Sequence, residues 1–439
     1  MSWLSNRRPG FWRNVWLVFH RWAGLIAAPF LLITGLTGAV ISWDHELDDL
    51  LNPHLTHISS AGVPMQSLDL ACRIEARYPE IRVNFVRLHA EPGESLAFGV
   101  QPRLNPSTGK LFEPGFNQVF VDPVTGEILG KRQWGGVWPL TTENFVSFLY
   151  KLHFSLHFPE IAGSDRWGIW LLGVIAILWT LDCFVSAFLT FPAPNRGVND
   201  EGGVFSNERP RSFWQRWTPA WRIRHGVGQY KFNYDLHRAF GLWTWALLFI
   251  VAFTGFSLNF KREIFLPVLN AVSKVTLTPF DQRRPQPKNQ PIAPQVGFQE
   301  VIELAEEAAR QRGWEGPAGS VFYAQHFGIY GVQFFSPGAD HGTAGAGHKR
   351  LYLSGQDGLV LGEKQPWSGT AADMFVQAQF PLHSGRILGV PGRIMISVMG
   401  LVVAMLSVTG IYLWWKKRSS RERSKARQVA ASVLSTEVQ

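Results

Sequence analysis

The sequence predicts an α-helical membrane protein: four transmembrane helices in two parallel repeats, with a small α+β domain outside the membrane in each. Three observations carry this. Four apolar runs, beginning near Trp22, Trp167, Ala239 and Ile394, punctuate the 439-residue chain. Each is about 20 residues long, enough to cross a hydrocarbon core of about 30 Å. Each has a histidine at or near one end: His20, His153, His237 and His383. Finally, the order helix, helix–strand segment, helix occurs twice, with matched landmarks.

Taken in order, residues 1–43 hold a basic start and the first span, 22–41. Arg7, Arg8, Arg13 and Arg21 place the start in the cytoplasm by the charge rule. No short cleavage site follows, so the helix is expected to be retained. Gly24, Gly35 and Gly38 allow close approach of a neighbour or a flat ligand. Residues 44–152 form the first outer domain. Helical spacing covers 66–77, and strands are expected at 83–88, 95–100 and 118–121. The turn Asp122-Pro123-Val124-Thr125-Gly126 then leads into 127–130. Residues 153–191 carry an outer histidine and the second span, 167–191. Asp182 lies inside that span, where an acid is costly; it is expected to bond a neighbouring helix or to serve function.

The loop 192–236 has seven basic residues against four acidic ones, which returns it to the side of the N-terminus. Its segment 213–217 is expected along the membrane interface. The third span, 239–258, lies within 237–260. Residues 261–382 form the second outer domain: a Pro- and Gln-rich linker (279–295), an amphipathic helix (298–310), strands at 320–325, 328–335 and 351–354, then a turn into 359–362. Residues 383–415 end in the fourth span, 394–415. The tail 416–439 is a basic cytoplasmic anchor.

Composition agrees. Charged residues make up 17% and hydrophobic ones 46%, and the 19 Trp and 32 Phe suit membrane boundaries. The net charge of +9 comes from residues beside the spans, so it argues for membrane topology and against nucleic acid. Cys183 sits within an apolar run, so pairing with Cys72 is not expected. The chain lacks CxxC and CxxCH, which removes zinc ribbons, iron–sulfur sites and c-type haem attachment. It also lacks a dinucleotide or flavin fingerprint.

The two halves align landmark by landmark. His20-Arg21 with Gly24 matches His237-Arg238 with Gly241, and Thr37-Gly38 matches Thr254-Gly255. Residues 122–130 match 354–362, and Leu152-His153 matches Leu382-His383. His20 and His237 then fall at the cytoplasmic ends of their spans, and His153, His157 and His383 at the outer ends. Paired imidazoles from facing helices can hold haem iron at both axial positions. Such iron has no open site and suits electron transfer. The two levels lie roughly 30 Å apart, so two stacked b-type haems are expected. Arg21, Arg238, Arg166, Arg386 and Arg393 would meet the propionates. The outer ligand is left open between His153, which aligns with His383, and His157, four residues on. The alternatives are histidines that only hydrogen-bond at the interface, and metal transport, suggested by His153 and His157 at i, i+4 on one helix face but without carboxylates and thiols to support it. His341 and His348, in a Gly-rich loop, read as solvated connection.

With these residues in view, the chain resembles the PepSY-associated transmembrane family over roughly residues 11–418. The resemblance lies in His20-Arg21-Trp22-Ala23-Gly24, the exit Trp43-Asp44-His45-Glu46-Leu47-Asp48, and Val119-Phe120-Val121-Asp122-Pro123 through Gly130. It continues in Leu382-His383-Ser384-Gly385-Arg386, Gly389-Val390-Pro391-Gly392-Arg393, and Thr409-Gly410-Ile411-Tyr412-Leu413-Trp414-Trp415. It implies an iron-regulated bacterial inner-membrane protein with two b-type haems and two periplasmic PepSY-like domains; some such proteins reduce siderophore iron. The sequence departs from the pattern at Gly355-Gln356-Asp357-Gly358, at His157, in the loop 341–348, and at Asp182-Cys183, where a glycine and paired tryptophans are usual. The expected function is electron transfer from a cytoplasmic donor or membrane quinol through the His20–His237 haem. The path continues through the haem of His153 (or His157) and His383 to a ferric siderophore or other periplasmic Fe(III) chelate. Trp134, Trp138, Phe145 and Trp367 are candidate substrate contacts. The rivals are a haem-b carrier for another periplasmic acceptor and a non-enzymatic sensor or interaction protein.

Overall fold

The computed structural model describes residues 11–193, 211–338 and 342–436. Arg7, Arg8, Arg196, Arg209 and His341 lie outside them. In chain order the principal elements are α1 (Phe11–Ile41), α2 (Ser67–Arg77), β1 (Ile81–Arg87), β2 (Leu96–Pro102), β3 (Gln118–Val121) and β4 (Ile128–Arg132). Next come α3 (Thr142–Ser155), α4 (Trp167–Thr190), α5 (Gln229–Trp243), α6 (Trp245–Asn259) and α7 (Phe298–Gln311). The chain closes with β5 (Ala318–Ala324), β6 (Ile329–Phe334), β7 (Lys349–Ser354), β8 (Val360–Lys364), α8 (Ala371–Ser384) and α9 (Val390–Thr436). They form two compact units, 1–39 with 153–259 and 395–439, and 40–152 with 260–394.

In the helical unit, α1, α4 and α9 are long and apolar enough to cross a membrane. The third span departs from expectation. It is two helices, α5 and α6, bent by 72°, so among the described residues three helices are long and apolar enough to span a membrane, or four if the bent pair counts as one. The bend falls at Thr244, whose backbone leaves helical geometry (φ −106, ψ 9). Its hydroxyl donates to the Phe240 carbonyl at 2.7 Å, a back-bond of the kind that bends helices. Elsewhere the helices meet through small residues. A Cβ on Gly35 would stand 2.7 Å from the Gly400 carbonyl oxygen, so α1 and α9 cross backbone to backbone.

One expectation needs correction here. His153 and His157 do not share a helix face. Helix α3 stops at Ser155, whose carbonyl packs directly against Gly168 of α4 with no room for a Cβ. Leu156 and His157 then turn with φ of +53° each, so His157 sits in a tight turn.

In the other unit, eight antiparallel strands run in the order β4-β3-β2-β1-β5-β6-β7-β8. Each half of the chain supplies an amphipathic helix (α2 or α7) and a four-strand meander, with strand ends within two residues of those predicted. The two α+β domains are nevertheless joined. Strands β1 and β5 pair with Phe85 opposite Phe322, Val86 opposite Val321 and Arg87 opposite Ser320. One core results, in which Leu70, Ile74 and Val83 pack with Val301, Ala305 and Tyr330. The turn at Asp122 forms as its residues dictate: the carboxylate accepts from Val124 N at 2.8 Å and from the Ser60 hydroxyl at 2.6 Å. Gly126 (φ +75°) closes that hairpin, and Gly358 (φ +71°) closes its counterpart, a conformation glycine adopts without penalty.

Candidate functional site

The helical unit holds a half-open cavity of about 820 Å³, lined from α1, α4, α5, α6 and α9. This is the size of a cofactor site. His20 of α1 and His237 of α5 both line it. Their ring centres are 6.3 Å apart and their planes inclined by 58°. Two opposed imidazoles sharing one metal through bonds of about 2 Å stand with ring centres roughly 6 Å apart. The observed spacing therefore suits a single ion between them.

Hydrogen bonds fix which nitrogen of each ring would bind. The Nδ1 of His20 donates to Asp182 of α4, 2.9 Å from each carboxylate oxygen. The Nδ1 of His237 donates to the Thr409 hydroxyl of α9 at 3.0 Å, and that hydroxyl donates onward to the Met405 carbonyl at 2.8 Å. In each ring, when neutral, Nε2 is then the lone-pair nitrogen, as in metal-ligating histidines oriented by a second residue.

Gly24 and Gly241 stand one helical turn beyond His20 and His237, on the same faces. A Cβ on either would meet no atom within 4 Å, and both line the cavity. Helix packing therefore does not require glycine at these places. A Cβ on Gly410 would stand 3.4 Å from the His237 ring. Arg21 and Arg238 also line the cavity, with Arg13, Lys417 and Arg418, so cations are available for ring carboxylates. These residues fit a haem.

Helix α5 is held in place by Asp235, which is fully buried. Arg224 grips its carboxylate at 2.7 and 3.0 Å, and Arg238 adds a contact at 3.0 Å. Sequence reasoning passed over both Asp235 and the role of Thr409.

The remaining candidates are spread through the fold. His153, in the last turn of α3, donates from Nδ1 to the Thr34 carbonyl at 3.0 Å. A Cβ on Gly38 would stand 2.9 Å from its ring, so Thr37-Gly38 forms its seat. His383 lies in the last turn of α8, in the sheet-bearing unit. In that unit Arg393 grips Glu46 through both terminal nitrogens at 2.7 and 2.6 Å and donates to the Ser42 carbonyl at 2.7 Å. Arg386 reaches Asp44 at 3.1 Å. The Arg393 contact holds the Glu46 carboxyl down at about 2. Arg166 reaches the Asn259 carbonyl at 3.4 Å. Trp134 lies under the Arg132 guanidinium, Trp138 is 88% exposed, and Trp367 donates to the Thr343 carbonyl. His348 stacks on Phe335. Among the described residues, no group of three or more His, Cys, Asp or Glu could hold a bare metal ion; iron in a porphyrin needs only axial ligands from the protein.

The fold is thus that of a multi-span helical membrane protein with two mixed α+β domains. Residues 17–417 match the model of the family described as PepSY-associated TM region, and the chain belongs to that family, as a multi-pass inner-membrane protein. No curated protein matches it.

Proposed function

We propose that this protein is a di-haem transmembrane electron carrier that delivers electrons to a ferric siderophore or similar Fe(III) chelate in the periplasm. The observation that carries the reading is the His20–His237 pair, 6.3 Å apart across a cavity that Gly24 and Gly241 leave open. Haem iron, when bound, supplies one-electron chemistry. His20 and His237 would hold the iron between them. Asp182 and Thr409 hold the two rings in the required tautomer. Arg21 and Arg238 would neutralise carboxylates at the ring edge.

The second haem is proposed on sequence grounds, from the matched places of Leu152-His153 and Leu382-His383, with His157 as the alternative to His153. The same matched landmarks argue for two parallel repeats, and the basic N-terminal segment, 192–236 loop and tail for cytoplasmic termini. A cytoplasmic reductant or membrane quinol would be the donor. Gain of an electron weakens binding of iron by hard oxygen ligands, which is how the chelate would release it.

The test is a visible spectrum of the full-length protein in detergent, oxidised and reduced, with pyridine-haem quantitation. A six-coordinate b-type spectrum at about two haems per chain is expected, and His20→Ala should lose one of them. The reduced protein should be reoxidised by a ferric hydroxamate or catecholate with release of Fe(II). Haem without that reaction favours a carrier for another periplasmic acceptor. A colourless protein after expression with ample haem overturns the reading and leaves a membrane-anchored interaction or sensor protein.

A further inference from the structure

Three imidazoles of the helical unit have an identified Nδ1 acceptor, and the acceptors differ in charge. His153 donates to a backbone carbonyl, that of Thr34. His237 donates to a hydroxyl, that of Thr409. His20 donates to a carboxylate, with both oxygens of Asp182 at 2.9 Å. Asp182 of α4 and Thr409 of α9 each accept from the Nδ1 of a cavity histidine, so one orienting task is done once with a charge and once without. Thr409 demonstrates that a hydroxyl is enough to orient a ring. A carboxylate within a span is costly, and the Asp182 side chain is only 13% exposed, so water screens it little. Its charge therefore calls for a second role.

We infer that Asp182 is a positioning residue that lowers the reduction potential of the haem held by His20 and His237, and so biases electron flow away from that site toward the second one. This rests on the haem reading above. Negative charge on the far side of an imidazole makes its Nε2 a stronger donor, and a stronger axial donor favours ferric over ferrous iron. The Thr34 carbonyl that accepts from His153 carries no net charge. The bias concerns one electron; no covalent bond is made or broken and no proton moves.

The experiment is a redox titration of the haem-loaded, full-length protein in detergent at fixed pH, followed by its visible bands, with Asp182→Thr as the main variant. The lower-potential transition should move upward by at least tenfold in the ferric/ferrous ratio, about 59 mV for one electron. Haem content is counted alongside, and Asp182→Glu, which keeps the charge, should bring the transition most of the way back to its wild-type position. Haem retained with the lower transition unmoved overturns the inference. Should Asp182→Thr empty the site, Thr409→Asp decides: a transition moved downward supports the inference, and an unmoved one defeats it. A wild-type protein that binds no haem at all defeats the functional reading itself, and this inference with it.

Discussion

Gly24 and Gly241 separate packing from ligand space at the level of a single atom. Most glycines at helix crossings are small because another backbone is close; these two face nothing within 4 Å. Gly24→Leu should therefore leave folding intact, since leucine is the better helix former and has room. Its side chain would occupy the cavity, and haem should fall from about two per chain to about one, with the thermal transition in detergent unchanged or slightly raised. A variant that keeps full haem content would show that the space has another purpose. The repeated His-Arg-x-x-Gly pattern made this pair of helix faces legible in the sequence, and the cost of an acid within a span drew attention to Asp182. Thr409 and Asp235 were not legible in the same way. Threonine is ordinary on a membrane helix, and its part emerges only where α9 meets α5. Asp235 reads as one more charge in a polar loop until Arg224 and Arg238 close on it.

Helices and turns show where pattern alone stops. Apolar length located α1, α4 and α9, but it also suggested a straight third span, because a single threonine barely disturbs an apolar run. The 72° bend at Thr244 arises from a local competition for the Phe240 carbonyl that hydropathy does not register. The end of α3 was hidden for a similar reason, since it depends on Gly168 of a later helix. The exit of α1 adds a test by pH. Glu46 titrates at about 2, below its usual 4.5, because Arg393 hydrogen-bonds its ionised form. A depressed carboxyl contributes stability that is fully present above its unfolded value and is lost as pH falls toward the folded one. Stability should therefore decline between about 4.5 and about 2 in the wild type. Glu46→Gln should be less stable at neutral pH and flatter through that window, as measured by tryptophan fluorescence during thermal unfolding. Parallel curves for the two proteins would show that the pair contributes nothing. The exposed half of the Glu46 side chain keeps the expected difference small.

At the scale of the whole chain, the two α+β domains share one sheet and one core. Alternating apolar residues announced the strands and their order within each half, because that information is local. Strand partners are not local, so the β1–β5 junction was out of reach, and two separate domains were expected. The junction has consequences. Val86 and Val321 face each other there, both fully buried, and helices from both halves close one core. Either half alone would expose a central strand edge, which invites aggregation. Proline at Val321 would remove a donor from a central strand and cost about 3 kcal/mol or more. If the sheet is one cooperative body, Val321→Pro should strip protection from both halves together, including β2 and β3, which lie far from the substitution in sequence. Hydrogen exchange with mass spectrometry on the full-length protein would read this directly. Independent domains predict the opposite: residues 81–132 would stay protected while 318–364 alone became exposed. Because β1 and β5 are the first strands of their halves, a shared sheet ties the segment between the first two spans to the segment between the last two. Loss of this one pairing would then be felt in segments more than 200 residues apart in the chain.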